Sequence, residues 1–431
     1  MKHAWKKLLA AAVLPCLLAG CGALGGPESE VPSMDHLLGL TQEQRLEDYD
    51  YLVQTLGDSY LCMGVRDRDN PEDPSAAIFQ AYREMIQESD SDEVFYSAVY
   101  STLFRLGTYG HLWIVEPDMY RAYCEAYEDG GIQDREHWRE VLTDPVTVRG
   151  YERPQTLLDA YGEEDGTVNS ADSEEPAANL HTLLLPGGDV GYVKIDSFPA
   201  EYEDSYATDR AALTDFYRQA ADCTDLIIDL TDNSGGSEVY WQQLLAAPLT
   251  DRPLSCTNYA LLAESGECIA ELEQVECQSI LLQTERGNNR PYIQEVFAPE
   301  ELHPIADLPD LPKLERDGIQ TATHFVESTL SVEPAAERAP FHGRIWVLVG
   351  PAVYSASESF AVFCQETGFA TLVGSPTGGD GIGALDPVFL QLPNSGILVQ
   401  FTMMFGLNGD GSSSEETGTT PDILSPAGAP A

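Results

Sequence analysis

The chain has 431 residues, of which 43% are apolar, so it is long enough to bury one large core or two smaller ones. Its formal net charge is −48, from 71 acidic and 23 basic residues. A surface of this sign repels nucleic acid and anionic lipid, which argues against a nucleic-acid-binding protein and against direct adsorption to a membrane.

The first residues form a pattern that is typical of a bacterial lipoprotein signal. Lysines near the start precede the apolar run LLAAAVLPCLLAG, which is too short to span a bilayer in the mature protein. The run leads into Cys21 through L-A-G, an order that resembles a lipobox, whose cysteine becomes the lipid-bearing N-terminus. We predict a signal over residues 1–21, a tether over 22–34 and a lipid anchor on the extracytoplasmic side of a bacterial cell envelope. The alternative is an ordinary signal peptide in which Cys21 is incidental.

Helical periodicity dominates the next part of the chain. QRLEDYDYLVQTL, AAIFQAYREMI and DEVFYSAVYSTLFRL repeat apolar residues at spacings of three and four. We therefore predict a small helical-bundle domain over residues 35–118, which closes on the turn and short strand of GTYGHLWIVEP. Residues 119–182 are irregular and acidic and predict a connector.

Strand patterns take over in the second half. HTLLLPG, DVGYVKIDSF and TDLIIDL read as strands, and RIWVLVG, SASESFAVFCQET and ATLVGS read as strand, helix and strand. FLQLP and GILVQFTMMFGL predict a hairpin. These patterns indicate an α/β domain over residues 183–431, with an insertion at about 251–340.

Two strand ends carry residues that suit acyl-transfer chemistry. Ser355 opens the helix after GRIWVLVG, where unsatisfied backbone N–H groups and the helix dipole stabilise an oxyanion. The alternative is a capping box, in which Ser355 and Glu358 only satisfy backbone amides. DLTDNSGG ends another strand with Gly235 and Gly236, and glycines allow backbone amides to approach a substrate oxygen closely. Here the alternative is an ordinary glycine turn.

Taken in order, these motifs resemble the carboxy-terminal processing (tail-specific) serine peptidases and their tricorn-core relatives. The likeness lies in D-L-x-x-N-x-G-G, S-A-S-E, T-x-G-x-G and the closing E-E-T-G-T-T-P-D-I, and it runs from about residue 190 to 423. The resemblance implies a crotonase-like (ClpP/crotonase) α/β core and hydrolysis of peptide bonds through an acyl-enzyme. Residues 119–182 lack a glycine-rich carboxylate-binding loop, so no PDZ domain is evident.

By this resemblance Ser355 is the nucleophile, and Ser357 remains the alternative nucleophile. The oxyanion hole would combine the backbone amide of Ala356 with that of Gly235 or Gly236.

The general base departs from the tail-processing pattern. Asp380 stands where those enzymes have a lysine, and an exposed carboxylate is a weak base for serine. After the signal the chain holds only Lys194 and Lys313, and neither lies near the core motifs.

The tricorn branch instead uses a histidine from a D-G-H-T-like turn, which Gly110 and His111 match here. An imidazole titrates near neutrality and suits proton transfer, although a loop histidine that bonds a carbonyl is the alternative.

By the same resemblance Glu415 supports the histidine, with Glu416 as the second choice; both could instead be solvated acids.

The chain has no C-x-x-C pair, and we predict no metal and no organic cofactor. The expected partner is a polypeptide substrate, with membrane contact through the lipid alone and no nucleic acid. The competing function is an inactive peptide-binding or scaffolding lipoprotein of the same fold, and the oligomeric state stays open.

Overall fold

The computed structural model describes residues 38–107, 109–128, 136–152, 178–201, 203–263, 302–381 and 388–425. The predicted signal with Cys21 and the tether lie outside these residues, as do parts of the predicted connector and insertion. The expectation of an irregular connector is wrong for its described part, where Pro117–Glu128, Glu136–Thr143 and residues 145–152 are helical. Apolar residues of these helices, such as Tyr120, Leu142 and Tyr151, pack into the first core cluster. Within the described residues, no helix is both long and apolar enough to cross a membrane.

The described helices follow one another in the first third of the chain and then alternate with strands. They are α1 Gln42–Ser59, α2 Cys62–Asp69, α3 Ser75–Gln87, α4 Asp92–Leu106, α5 Pro117–Glu128, α6 Glu136–Thr143, α7 at 145–152, α8 Asp204–Gln219, α9 (Glu238–Tyr240, the π-helical Trp241–Ala246 and Ala247–Leu249), α10 Ala356–Thr367 and α11 Ser414–Thr417.

The described strands are β1 Trp113–Ile114, β2 Leu180–Leu184, β3 Val190–Ile195, β4 Asp225–Asp229, β5 Leu254–Leu262, β6 His303–Pro304, β7 His324–Val332, β8 Arg344–Val349, β9 Thr371–Gly374, β10 Val388–Gln391, β11 Leu398–Phe401, β12 Met404–Asn408 and β13 Ile423–Leu424.

The described strands form three sheets. The largest has the order β13-β9-β8-β4-β3-β2, in which every pair is parallel except the antiparallel edge pair β3/β2. β5, β6 and β7, from the predicted insertion, join β12 in an antiparallel four-stranded sheet. The predicted hairpin is present as β10 and β11, and β1 adds to it in a three-stranded antiparallel sheet. The protein is therefore a mixed α/β protein, as predicted.

Local capping explains where two of the early helices begin. Thr41 and Gln44 form a capping box at the start of α1. The hydroxyl of Ser91 accepts hydrogen bonds from the amides of Glu93 and Val94 at the start of α4. These bonds satisfy amides that have no partner within the helix.

The early helices share a core with strands from the end of the chain. Leu52 of α1 and Phe95 of α4 belong to the same buried cluster as Phe401 and Phe405 of the β11–β12 region. A second cluster packs α8, α9 and α10 against the six-stranded sheet. The helical segment is thus joined to the later α/β segment through a continuous apolar interface, across which the candidate site is assembled.

Candidate functional site

Two loops that the sequence singled out emerge at the same edge of the six-stranded sheet. β4 ends at Asp229 and leads to Gly235 and Gly236, while β8 ends at Val349 and leads to Ser355. β4 and β8 are parallel neighbours, so their carboxyl ends lie side by side. The two loops therefore meet: a Cβ added to Gly235 would lie 2.9 Å from the Cβ of Ser355.

Ser355 precedes α10 in an unusual backbone conformation, with φ 56° and ψ −128°. Its amide donates to the carbonyl of Gly379 at 3.2 Å, but its side chain makes no capping hydrogen bond. The carboxyl group of Glu358 accepts instead from the hydroxyl of Thr419 at 2.6 Å. The capping-box interpretation is therefore wrong, because a capping serine needs an extended backbone and Ser355 does not have one.

Backbone strain is concentrated at this point of the molecule. Among the described non-glycine residues, positive φ values occur at His111 (55°), Ser355 (56°) and Asp380 (60°). Such conformations cost free energy and persist only where the surroundings impose them, which is common at functional sites.

The turn before β1 is tied to segments far away in the sequence. The amide of Gly110 donates to Oε2 of Glu415 at 2.9 Å, a bond between residues 305 positions apart. The carbonyl of Gly110 accepts from the amide of Thr402 at 2.6 Å, and the hydroxyl of Tyr60 donates to the carbonyl of Tyr109 at 2.7 Å. These bonds fix the position of the histidine that follows.

The imidazole of His111 lies beside the serine loop. Its ring centroid is 5.1 Å from that of Tyr354, the residue before Ser355. Its Nδ1 contacts Oδ2 of Asp380. Since the amide of Ser355 is bonded to the carbonyl of Gly379, which adjoins Asp380, the histidine, the aspartate and the serine converge on one place.

The expectation that Asp380 is exposed is wrong, because the residue is only 5% exposed. Glycines on both sides allow this burial: a Cβ at Gly381 would lie 2.6 Å from the amide nitrogen of Ser359, and Gly379 packs against Ser414. Burial raises the pKa of Asp380 to about 6, while hydrogen bonds from Glu415 and Tyr354 act in the opposite direction.

The two glutamates that follow one another on α11 point to different surroundings. Glu415 is half-buried, with its carboxyl group behind His111, and burial of this group together with the charge of Asp380 raises its pKa well above the ordinary value. Its Oε1 is buried and meets no hydrogen-bond donor among the described residues. Glu416 instead pairs with Arg68 of α2 at 2.5 Å. Glu415 is therefore the member of the pair that reaches the candidate site.

Tyr354 links the histidine to the acids. Its phenol hydrogen bonds to the carboxylate of Asp380 and accepts from the backbone amide of His111. Burial is the main reason that the pKa of this phenol is raised, so the group stays protonated.

The backbone amides near Ser355 are not equivalent. The amide of Gly235 donates to Oδ1 of Asn233 at 2.8 Å, so it is already engaged. The amides of Gly236 and Ala356 donate to no protein acceptor among the described residues. Ser357 is fully buried, and its hydroxyl donates to the same Asn233 oxygen.

Neither lysine approaches this place. Lys194 pairs with Asp232 at 2.7 Å, and Lys313 pairs with Asp410 at 2.6 Å. Neither of these pairs includes a residue of the serine loop.

Sequence reasoning missed two members of the site. Asn233 stands inside the quoted D-L-x-x-N-x-G-G motif, so its position was visible although its bonds were not. Tyr354 carried no signal, because an aromatic residue beside a buried strand is more often part of a core.

Comparison with known proteins finds one matching family and several similar solved structures. The model of peptidase family S41 matches residues 189–425, more than half of the chain. A putative peptidase from Parabacteroides merdae is similar with a TM-score of 0.50 and 17% identity, over 90% of each chain. A lipoprotein from Streptococcus agalactiae has a TM-score of 0.44 and 13% identity, over 89% of this chain and 92% of the other. The photosystem II D1 C-terminal processing protease has a TM-score of 0.33 and 17% identity, over 57% and 48%. No curated protein matches the chain. At 17% identity the likeness to the Parabacteroides merdae protein concerns the fold alone, and nothing is concluded from the two structures with lower TM-scores.

Proposed function

Because the chain belongs to peptidase family S41 and is a serine-type peptidase, we propose that it cleaves polypeptides through an acyl-enzyme formed on Ser355. The observation that carries the proposal is the convergence of His111, Asp380 and the Ser355 loop, which come from distant parts of the chain. His111 is the general base, as in the histidine-using branch of the resemblance.

The proposed reaction begins when Ser355 Oγ attacks the carbonyl carbon of a peptide bond. His111 accepts the hydroxyl proton through Nε2, because its Nδ1 faces Asp380. The amides of Gly236 and Ala356 bind the oxyanion, and their lack of a protein acceptor supports this assignment over Gly235. His111 then delivers the proton to the leaving amine, and water, activated in the same way, releases the acid product.

Ser357 is assigned a positioning role. Its hydroxyl is buried and shares Oδ1 of Asn233 with the amide of Gly235. The two hydrogen bonds on this oxygen hold the glycine loop next to the first turn of α10. The competing idea of an inactive scaffold has no observation in its favour, because the nucleophile, base and oxyanion amides are all available.

The finer fold assignment belongs to the same proposal. A parallel sheet that presents the glycine loop and the serine loop at adjacent strand ends suits a crotonase-like core. A PDZ domain is not expected, since residues 119–182 lack a glycine-rich carboxylate-binding loop.

Anchoring through Cys21 is also part of the proposal, and its support is the sequence pattern alone. The full-length chain is expressed in a bacterium that receives radiolabelled palmitate. We expect label on the wild type and none on Cys21→Ala. Label that persists in the variant contradicts the anchor.

The nucleophile and base are tested with a fluorescent fluorophosphonate, which labels an activated serine. We expect Ser355→Ala to abolish labelling and the hydrolysis of fluorescein-labelled casein. We expect His111→Ala to slow labelling by about 10²-fold or more, the usual size of a general-base effect.

Matched controls are Ser328→Ala on β7 and His342→Ala in an exposed loop, which we expect to label at the wild-type rate. Labelling that survives in Ser355→Ala but disappears in Ser357→Ala moves the nucleophile to Ser357. A folded wild-type protein that neither labels nor hydrolyses casein contradicts the proposed function.

A further inference from the structure

Two acids, the buried Asp380 and the half-buried Glu415, meet behind His111, although the resemblance supplied only Glu415 as the partner of the histidine. Their carboxyl groups lie close enough to interact directly. Two adjacent carboxylates in a buried place cannot both be ionised, so the pair holds one proton. The question is which acid carries it.

The surroundings of Asp380 favour its ionised form. Its carboxylate contacts Nδ1 of His111, receives the phenol hydrogen of Tyr354 and lies against the carboxyl group of Glu415. The phenol donor and the adjacent imidazole, which can become positive, offset much of the cost of burying this charge.

The surroundings of Glu415 favour its neutral form. Oε2 accepts one hydrogen bond, from the amide of Gly110, whereas Oε1 is buried without any donor among the described residues. An ionised glutamate would leave that oxygen desolvated and unpaired, which is costly. A protonated glutamate can instead donate from Oε1 toward the carboxylate of Asp380, which removes this cost.

Among the residues that the structure describes, the groups packed around the pair do not supply a compensating cation. From α10 comes the buried Glu358, and from α11 the neighbouring Glu416, which is held by Arg68. From the helical segment come Tyr60 and Cys62, as well as Tyr109, whose pKa values are all raised mainly by burial, so that they stay neutral. His111 is left as the group that can become positive, and it contacts Asp380.

We propose that Asp380 is the carboxylate that orients His111, and that Glu415 is a positioning residue that acts as a neutral hydrogen-bond donor to Asp380. The inference rests on the proposed function. During acylation Asp380 holds the Nδ1 proton and stabilises the imidazolium that forms when Nε2 takes the Ser355 proton. The proton on Glu415 does not move.

This division of roles predicts both limbs of a pH profile. As the pH falls through about 6, Asp380 gains a proton and no longer accepts from Nδ1, so the labelling rate falls. As the pH rises far enough to ionise Glu415, the donor becomes a repelling anion, and the rate falls again.

The test compares isosteric amides at the two positions by the rate of fluorophosphonate labelling. Asp380→Asn replaces an acceptor by a group that cannot hold the required tautomer, and we expect a loss of about 10²–10⁴-fold. Glu415→Gln keeps a donor toward Asp380 and an acceptor for Gly110, and we expect a loss of at most about tenfold. Glu415→Ala removes both groups and is expected to be far slower than Glu415→Gln, while Glu327→Gln on β7 is the control for the chemical change.

The pH profile separates this role from a merely structural one. We expect the alkaline decline of the wild type to disappear in Glu415→Gln, which has no proton to lose there, and the acid limb to remain. Circular dichroism and thermal unfolding confirm that each variant is folded.

Two outcomes overturn the inference: a Glu415→Gln loss as large as that of Asp380→Asn, or a normal rate in Asp380→Asn. Both leave the proposed function intact if labelling still requires Ser355 and His111. A wild-type protein that does not label at Ser355 contradicts the proposed function itself.

Discussion

At the scale of single residues, the site combines strained backbone with buried acids. His111, Ser355 and Asp380 each hold a positive φ, at a cost of about 1–3 kcal/mol for such a residue. Long-range bonds impose the conformations, for instance from Ser355 to Gly379. Strain of this kind fixes side-chain directions before a substrate arrives, which is the preorganisation that transition-state stabilisation requires.

Glu358 shows how burying an acid near the site affects the stability of the protein. The residue is fully buried, and burial raises its pKa to about 7 in spite of hydrogen bonds from Thr377 and Thr419. A raised folded-state pKa stabilises the protein below the ordinary value of 4.5, and this contribution is lost as the pH rises through about 7.

We therefore predict that Glu358→Gln becomes more stable relative to the wild type as the pH rises from 5 to 8. The change in the difference between their free energies of unfolding is on the order of 3 kcal/mol, from the size of the pKa shift. Urea unfolding of both proteins at the two pH values measures it. The measured change includes the coupling to the neighbouring acids, because the charge of Glu358 raises the pKa of Asp380 and the charge of Glu415 raises that of Glu358.

The control is Glu327→Gln, which makes the same chemical change at an exposed position of β7. We expect its stability relative to the wild type to vary little over this pH range. A Glu358→Gln difference that stays constant with pH contradicts the burial argument.

At the scale of elements, the candidate residues lie on connections rather than inside helices or strands. Ser355 joins β8 to α10, the glycine loop follows β4, and Asp380 lies between β9 and β10. A helix or strand fixes each end of these connections. The order of the strands in the sheet then determines which loops lie next to each other. The S-A-S-E segment could therefore become a strained turn instead of an ordinary helix cap.

At the scale of the whole molecule, the site depends on the helical segment staying packed on the later sheets. His111 comes from the first and Ser355 from the second. Asp48 of α1 is fully buried and accepts hydrogen bonds from the amides of Asn394 and Ser395, at 2.8 Å each, in the β10–β11 turn. This contact holds the β10–β11 hairpin against α1. The same hairpin pairs with β1, which directly follows the turn of His111.

We predict that Asp48→Asn lowers the free energy of unfolding by about 2–4 kcal/mol, because an amide cannot accept from both backbone donors. Thermal and urea unfolding measure the loss, and the labelling rate should fall at temperatures where the variant begins to open. Asp50→Asn on the same helix, which removes only an exposed pair with Arg83, is expected to change stability by less than about 1 kcal/mol. Equal losses in the two variants would contradict the role of Asp48.

The sequence by itself determined the parts that depend on local pattern. The apolar spacing determined the early helices, the strand runs and the β10–β11 hairpin, because backbone preferences act over a few residues. The order of the short motifs was enough to identify the family. Ser355 and His111 could be nominated because each stands in a turn whose residues are adjacent in the chain.

Only the tertiary structure decided how these parts work together. Burial of Asp380 against His111, closure of Ser357 onto Asn233, and engagement of the Gly235 amide all join residues that are brought together by the packing of separate segments. Burial also decided the protonation of the acids, since a pKa depends on the solvent and charges that surround a group and not on its neighbours in sequence. A sequence lists the groups that can react, while the fold determines the distance and the dielectric between them.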